Sequence, residues 1–133
     1  MSSGGRPSLR EVLIEVVRKG KTRFAARIQR NSVRDGDCLL WTGPVNNHGY
    51  PRMNVRALGK HMTLYVHRVM YVLSSGSDIP SGLEIDHSCY RRNCIEPKHL
   101  EPVTHAENMQ RMMARRLSAA EEQELYDAIE ECL

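Results

Sequence analysis

Apolar and polar positions follow two rhythms along the chain, and their order sketches its elements. Leu9, Val12, Leu13, Val16 and Val17 recur at helical spacing behind a Ser8–Glu11 capping box. Gly20 stands where a left-handed cap would close that helix, which predicts helix over residues 9–19. Residues 21–34 offer only Phe24 and Ile28 as large apolar anchors among Lys21, Arg23, Arg27, Arg30 and Arg34, and read as helix or loop. From Cys38 the rhythm shortens. The runs CLLWTG, YPRMNVRA and HMTLYV, with turn-rich PVNNHG and LGK between them, predict a small antiparallel meander. YVHRVMYVLSS returns to helical spacing at residues 65–75, with Gly76 and Pro80 as stops. Leu83, Ile85 and His87 then alternate with Glu84 and Asp86 as a strand, and residues 100–103 give a second. Thr104 with Glu107 caps a helix to about Arg116. Ser118 with Glu121 starts a separate acidic helix carrying Leu125, Ala128, Ile129 and Cys132 on one side.

These elements predict an α+β fold in three parts: an N-terminal helix and basic segment (1–37), a β-rich core (38–117) and an acidic C-terminal helix (118–133). A length of 133 residues suits one domain. The aromatic supply is thin, with one Phe, one Trp and five Tyr, so seven Met must fill part of the core and a staple is expected. Trp41 is expected in that core. No apolar run reaches the roughly 18 residues of a membrane span. The first apolar stretch, Val12 to Val17, is interrupted by Glu15, unlike a secretory signal. The expected compartment is the cytoplasm, or the nucleus in a eukaryotic cell.

Charge adds a partner. The formal net charge is +3, but residues 118–133 hold six acids and no Lys or Arg, leaving 19 bases against 10 acids in residues 1–117. A body of +9 points to a polyanion, nucleic acid before membrane, although a merely solvated basic surface is the plainer alternative.

Four cysteines in a reducing compartment point to metal rather than disulfides. Cys89, Cys94 and His99 are separated by four residues each time, so one turn and the strand after it can aim two thiolates and an imidazole at one point. Zn²⁺ takes such ligands tetrahedrally and needs a fourth. Cys38, His105 and Cys132 are candidates. Cys38 is preferred, because Gly36 and Asp37 allow a turn there, while Cys132 lies one residue from a terminus prone to fraying. Cys132 is read instead as a small buried hydrophobe.

Asp86 and His87 end the strand that enters the cysteine turn, and Asn108 lies one turn inside the helix that leaves it. Strand alternation sends Asp86 and His87 to opposite faces, so Asp86 can reach a cation held by the helix while the imidazole works beside it. Asp and Asn oxygens suit Mg²⁺, and a neutral His can take a proton from water near neutral pH. Together they describe metal-assisted phosphodiester hydrolysis. By themselves these residues are a weak signal.

The combination is stronger. GLEIDHSCYRRNCIEPKHLEPVTHAENMQRM, with His87, His99 and Asn108 at intervals of 12 and 9, resembles the HNH endonucleases of the His-Me finger, or ββα-metal, group. With Cys89 and Cys94 added, it looks most like the zinc-bearing His-Cys box homing endonucleases and their phage relatives. The likeness is strong over residues 79–113 and fainter back to Cys38. It implies a zinc-stapled ββα-metal finger acting on double-stranded DNA with Mg²⁺ or Mn²⁺. His87 would be the general base, and Asn108 with Asp86 would hold the catalytic cation. His99 would serve the structural zinc with Cys38, Cys89 and Cys94. Arg52, and after it Arg68, are the candidates for contact with the scissile phosphate. His67 and His105 could support the site or be ordinary packed or solvated histidines. Glu96 departs from the Asn that related sequences often carry there, which touches only the turn. A homodimer through the Leu125 stripe, and an acidic segment covering the basic face, are further expectations. Two readings compete with the nuclease: a noncatalytic zinc-stabilised DNA-binding module, and a zinc-stapled protein-interaction domain.

Overall fold

The computed structural model describes residues 6–132, with the side chains of residues 117 and 118 outside the description. Helix α1 (Leu9–Arg30) begins as the capping pattern predicts, Ser8 Oγ accepting from the Glu11 backbone N–H at 3.1 Å. Beyond Gly20 the segment that reads as helix or loop is helix to Arg30. Gly20 has φ −174° and ψ 70°, an extended residue rather than a left-handed cap, so the helix kinks there and resumes to Arg30. What drives the second half is burial: Phe24 and Ile28 enter the same apolar core as Val12 and Leu13 of the first half.

The predicted meander is corrected. The described strands form three separate antiparallel pairs, β1 (Ser32–Asp35) with β2 (Cys38–Trp41), β3 (Arg52–Ala57) with β4 (Lys60–Tyr65), and β5 (Leu83–His87) with β6 (Leu100–Thr104). Strand β1 is short and exposed along most of its length, so its residues carry no burial alternation to read. The β3–β4 turn puts Leu58 and Gly59 both at positive φ, the handedness a two-residue hairpin requires.

Helix α2 (Val66–Ser75) follows β4 directly and ends at Gly76, which is left-handed (φ 72°) and donates to Val72 O. Val66, Val69 and Val72 pack with Met53, Ile95 and the apolar face of α1. Met53 and Ile95 are fully buried, each contributing about 1.5–3 kcal/mol. Trp41 is in this core as expected, with its indole N–H on Pro44 O at 2.9 Å.

Helix α3 (His105–Cys132) is one continuous helix, not the two expected. Its start is a complete capping box: Glu107 N–H to Thr104 Oγ1 at 3.0 Å and Thr104 N–H to Glu107 Oε2 at 3.4 Å. The second expected box rests on Ser118, whose side chain lies outside the described residues, and the backbone is helical through it. Cys132 is exposed rather than buried. The fold is therefore α+β, and no described helix is long and apolar enough to cross a membrane.

Candidate active site and metal centre

Four residues distant in sequence meet beside β2. Its free edge pairs with the segment after the cysteine turn, through Trp41 N–H to Asn93 O (2.8 Å) and Ile95 N–H to Leu39 O (2.7 Å). That register sets Cys94 beside Cys38. The 3-10 turn at Pro97–His99 brings the third side chain round, while Ser88 N–H on His99 O at 2.8 Å ties both ends of the loop. One ligand atom each from Cys38, Cys89, Cys94 and His99 lie within 4.8 Å of one another. His99 Nδ1 is 3.6 Å from Cys38 Sγ and 3.5 Å from Cys94 Sγ. A tetrahedral zinc with typical bond lengths has an S···N edge of about 3.6 Å. The geometry therefore fits a zinc ion. Burial, helped by the neighbouring Cys38 and Cys89, pushes the Cys94 thiol up to about 12. Collecting three thiols there makes chemical sense with a cation to neutralise them. The other two candidate ligands lie elsewhere: His105 pairs with Glu84 at 2.6 Å, and Cys132 sits at the far end of α3.

The β5–β6 pair carries the second constellation. Glu84 and Asp86 share one face of β5 and meet α3, whose His105, Asn108, Arg111 and Arg115 recur at helical spacing. Asn108 donates its Nδ2 to Glu84 Oε2 at 2.7 Å. Hydrogen bonds from Asn108 and His105 hold the Glu84 carboxyl below its ordinary pKa. Asp86 is 6% exposed and takes Arg111 at 3.0 Å and Arg115 at 3.1 Å on Oδ2. Burial pushes its carboxyl up, but the two arginines outweigh burial and leave the pKa below the ordinary value.

His87, Asp86 and Asn108 line one cavity of about 200 Å³, together with Tyr50, Arg92 and Arg115. His87 is buried and its Nε2 makes no hydrogen bond within the protein. Burial lowers its pKa below 6.5. Asp86 and a hydrogen bond to the Cys94 backbone pull the other way, and Arg115 adds to the lowering. The ring is thus neutral near pH 7, and its backbone partner belongs to a residue of the thiol cluster. Tyr90, in the turn between, has φ 63° and donates its N–H to His87 O at 3.1 Å, while Arg115 stacks 3.8 Å from its ring centroid. A non-glycine residue held at positive φ beside such a cavity is the kind of strain that functional sites retain.

Within this arrangement residues 64–110 match the family model described as HNH endonuclease. That segment is similar to the HNH endonucleases. Two phage proteins resemble the chain: Protein 2.8 of Escherichia phage T7, 36% identical over 81 residues (61% of this chain, 52% of that one), and Protein 7.7 of the same phage, 37% identical over 79 residues (59% and 57%). The chain spans a little over half the length of these relatives. No solved structure matches it.

Strand and motif reasoning passed over several residues around this cavity. Glu84 fixes Asn108, and Arg111 and Arg115 fix Asp86. Their signal was the spacing of 105, 108, 111 and 115 on one helical face. Of the two arginines expected at the phosphate, Arg52 does not line the His87 cavity and bonds Val45 O at 3.3 Å, while Arg68 lines an adjoining cavity with His67, Glu84 and Asn108. His67 is buried against His87, ring centroids 5.3 Å apart.

Proposed function

We propose that the chain is a DNA endonuclease that hydrolyses phosphodiester bonds with His87 as general base and a divalent cation, Mg²⁺ or Mn²⁺. The observation that carries this reading is the shared cavity: a buried, neutral His87 beside Asn108, within a segment similar to the HNH endonucleases. His87 accepts the proton of the attacking water as oxygen bonds to phosphorus, and the P–O3′ bond breaks with the proton supplied to O3′ by solvent. Asn108, its amide nitrogen tied to Glu84, keeps its carbonyl oxygen for the cation, with Asp86 the second ligand. When bound, that cation polarises the phosphate and offsets charge on the leaving oxygen. Cys38, Cys89, Cys94 and His99 hold a structural zinc, which fixes the turn carrying His87. Arg52 and Arg68 contact the DNA backbone, and the core of residues 38–117 contains the whole site.

The test is conversion of supercoiled plasmid, and of a randomised-site library, to nicked or linear DNA. The wild type is expected to cut in Mg²⁺ and not in EDTA, and Asn108→Ala to lose cutting in Mg²⁺. Zinc-loaded protein that binds DNA and leaves both substrates intact would instead be the noncatalytic binding module.

A further inference from the structure

Asp86 is already occupied. Arg111 Nη1 donates to Oδ2 at 3.0 Å, and Arg115 reaches Oδ2 at 3.1 Å and Oδ1 at 3.5 Å, around a side chain that is 6% exposed. A divalent cation and two guanidiniums cannot share those oxygens, because both compete for the same lone pairs and repel each other. Each arginine, however, has a second partner in place. Arg111 also bonds Glu101 at 2.9 Å, and Arg115 lies 3.8 Å from the Tyr90 ring centroid. Either can leave Asp86 without being stranded. Arg115, like the more exposed Arg92, borders the cavity of His87 and Asn108, so an anion entering that cavity comes within reach of its guanidinium.

The geometry points to a partner exchange: in the DNA-free protein Arg111 and Arg115 cap Asp86 against divalent cations, and a phosphodiester that draws Arg115 away, with Arg111 falling back on Glu101, uncaps the carboxylate. DNA and the cation then bind cooperatively, each strengthening the other by the same factor. The inference rests on the nuclease reading and adds an order to it: the cation site is completed by the substrate.

The experiment measures Mn²⁺ affinity of the zinc-loaded full chain from the electron paramagnetic resonance signal of the free ion. It is run with and without a short duplex whose integrity is checked afterwards. DNA is expected to tighten Mn²⁺ binding by about tenfold or more. Arg111→Gln with Arg115→Gln is expected to bind Mn²⁺ that tightly without DNA, and adding Asp86→Asn to remove the gain. Equal wild-type affinity with and without DNA overturns the exchange. So does a gain in the arginine variant that survives Asp86→Asn, which would be loss of positive charge alone. If the variants fail to fold, the wild-type comparison decides. Plasmid cleavage alongside separates the two readings: DNA-independent Mn²⁺ binding in a protein that cuts overturns only the exchange, whereas a chain that neither binds duplex nor cuts overturns both.

Discussion

His67 offers a sharp test of how the site is packed. It is 8% exposed, its Nδ1 makes no hydrogen bond within the protein, and its ring packs in a triangle with those of Tyr50 and His87, with centroids at 5.4 and 5.3 Å. Burial, then the nearby His87 and Arg68, lowers its pKa from 6.5 to about 3. The folded state therefore keeps the ring neutral, while the unfolded chain takes a proton below pH 6.5. Stability must fall as pH drops from 6.5 towards 3. At about 1.4 kcal/mol per pH unit, this one group costs roughly 2 kcal/mol by pH 5, which for a chain of this size is roughly 6–10 °C in Tm. Replacing it with Phe keeps a flat ring and removes the titration. Thermal melts of zinc-loaded wild type and His67→Phe, followed by circular dichroism at about pH 7.5 and about pH 5, isolate the term, because the remaining titrating groups largely cancel between the two proteins. The Tm difference is expected to move in favour of Phe by that amount on acidification. Parallel losses in both proteins would refute the claim that His67 is held neutral.

Three further outcomes follow from the geometry. Cys94→Ser should lose the zinc measured by elemental analysis and the cooperative melt with it, since structural zinc contributes about 10–16 kcal/mol, comparable to a whole domain's stability. A retained sharp melt without zinc would contradict the staple. Single-turnover cleavage against pH should keep its acidic half-point below 6.5, because the base works as the neutral ring and burial lowers the His87 pKa, so protonation disables it only at lower pH. A half-point above 6.5 would contradict this. Glu84→Ala frees the Asn108 amide and should slow cleavage by about 10–100-fold with DNA affinity unchanged, and Glu84→Gln should recover part of the rate. Equal rates in all three proteins would remove Glu84 from the site.

Local signals were legible in the sequence where chemistry is local. Ser8, Thr104 and Gly76 cap helices as their patterns predict, and the cluster of Cys38 with Cys89, Cys94 and His99 follows from ligand spacing and a turn. Strand pairing was not legible, because it depends on contacts across the chain. CLLW pairs with the polar SVRD before it and with the loop at Asn93–Ile95 after it, and neither partner advertises itself as a strand. Gly20 does interrupt the helix, though not as a left-handed cap, and burial of Phe24 and Ile28 restarts it in a segment that reads as helix or loop. At the site, the motif points to Asp86, His87 and Asn108, but their surroundings are tertiary. Arg111 and Arg115 look like ordinary surface bases until α3 is laid along β5.

The central claim is that His87 does chemistry rather than hold structure. It is tested by the single-turnover rate of DNA cleavage in Mg²⁺ for wild type and His87→Ala, each zinc-loaded and at saturating DNA. The account predicts a loss of about 10²–10⁴-fold with DNA affinity and zinc content unchanged. Cleavage by His87→Ala at the wild-type rate would contradict it.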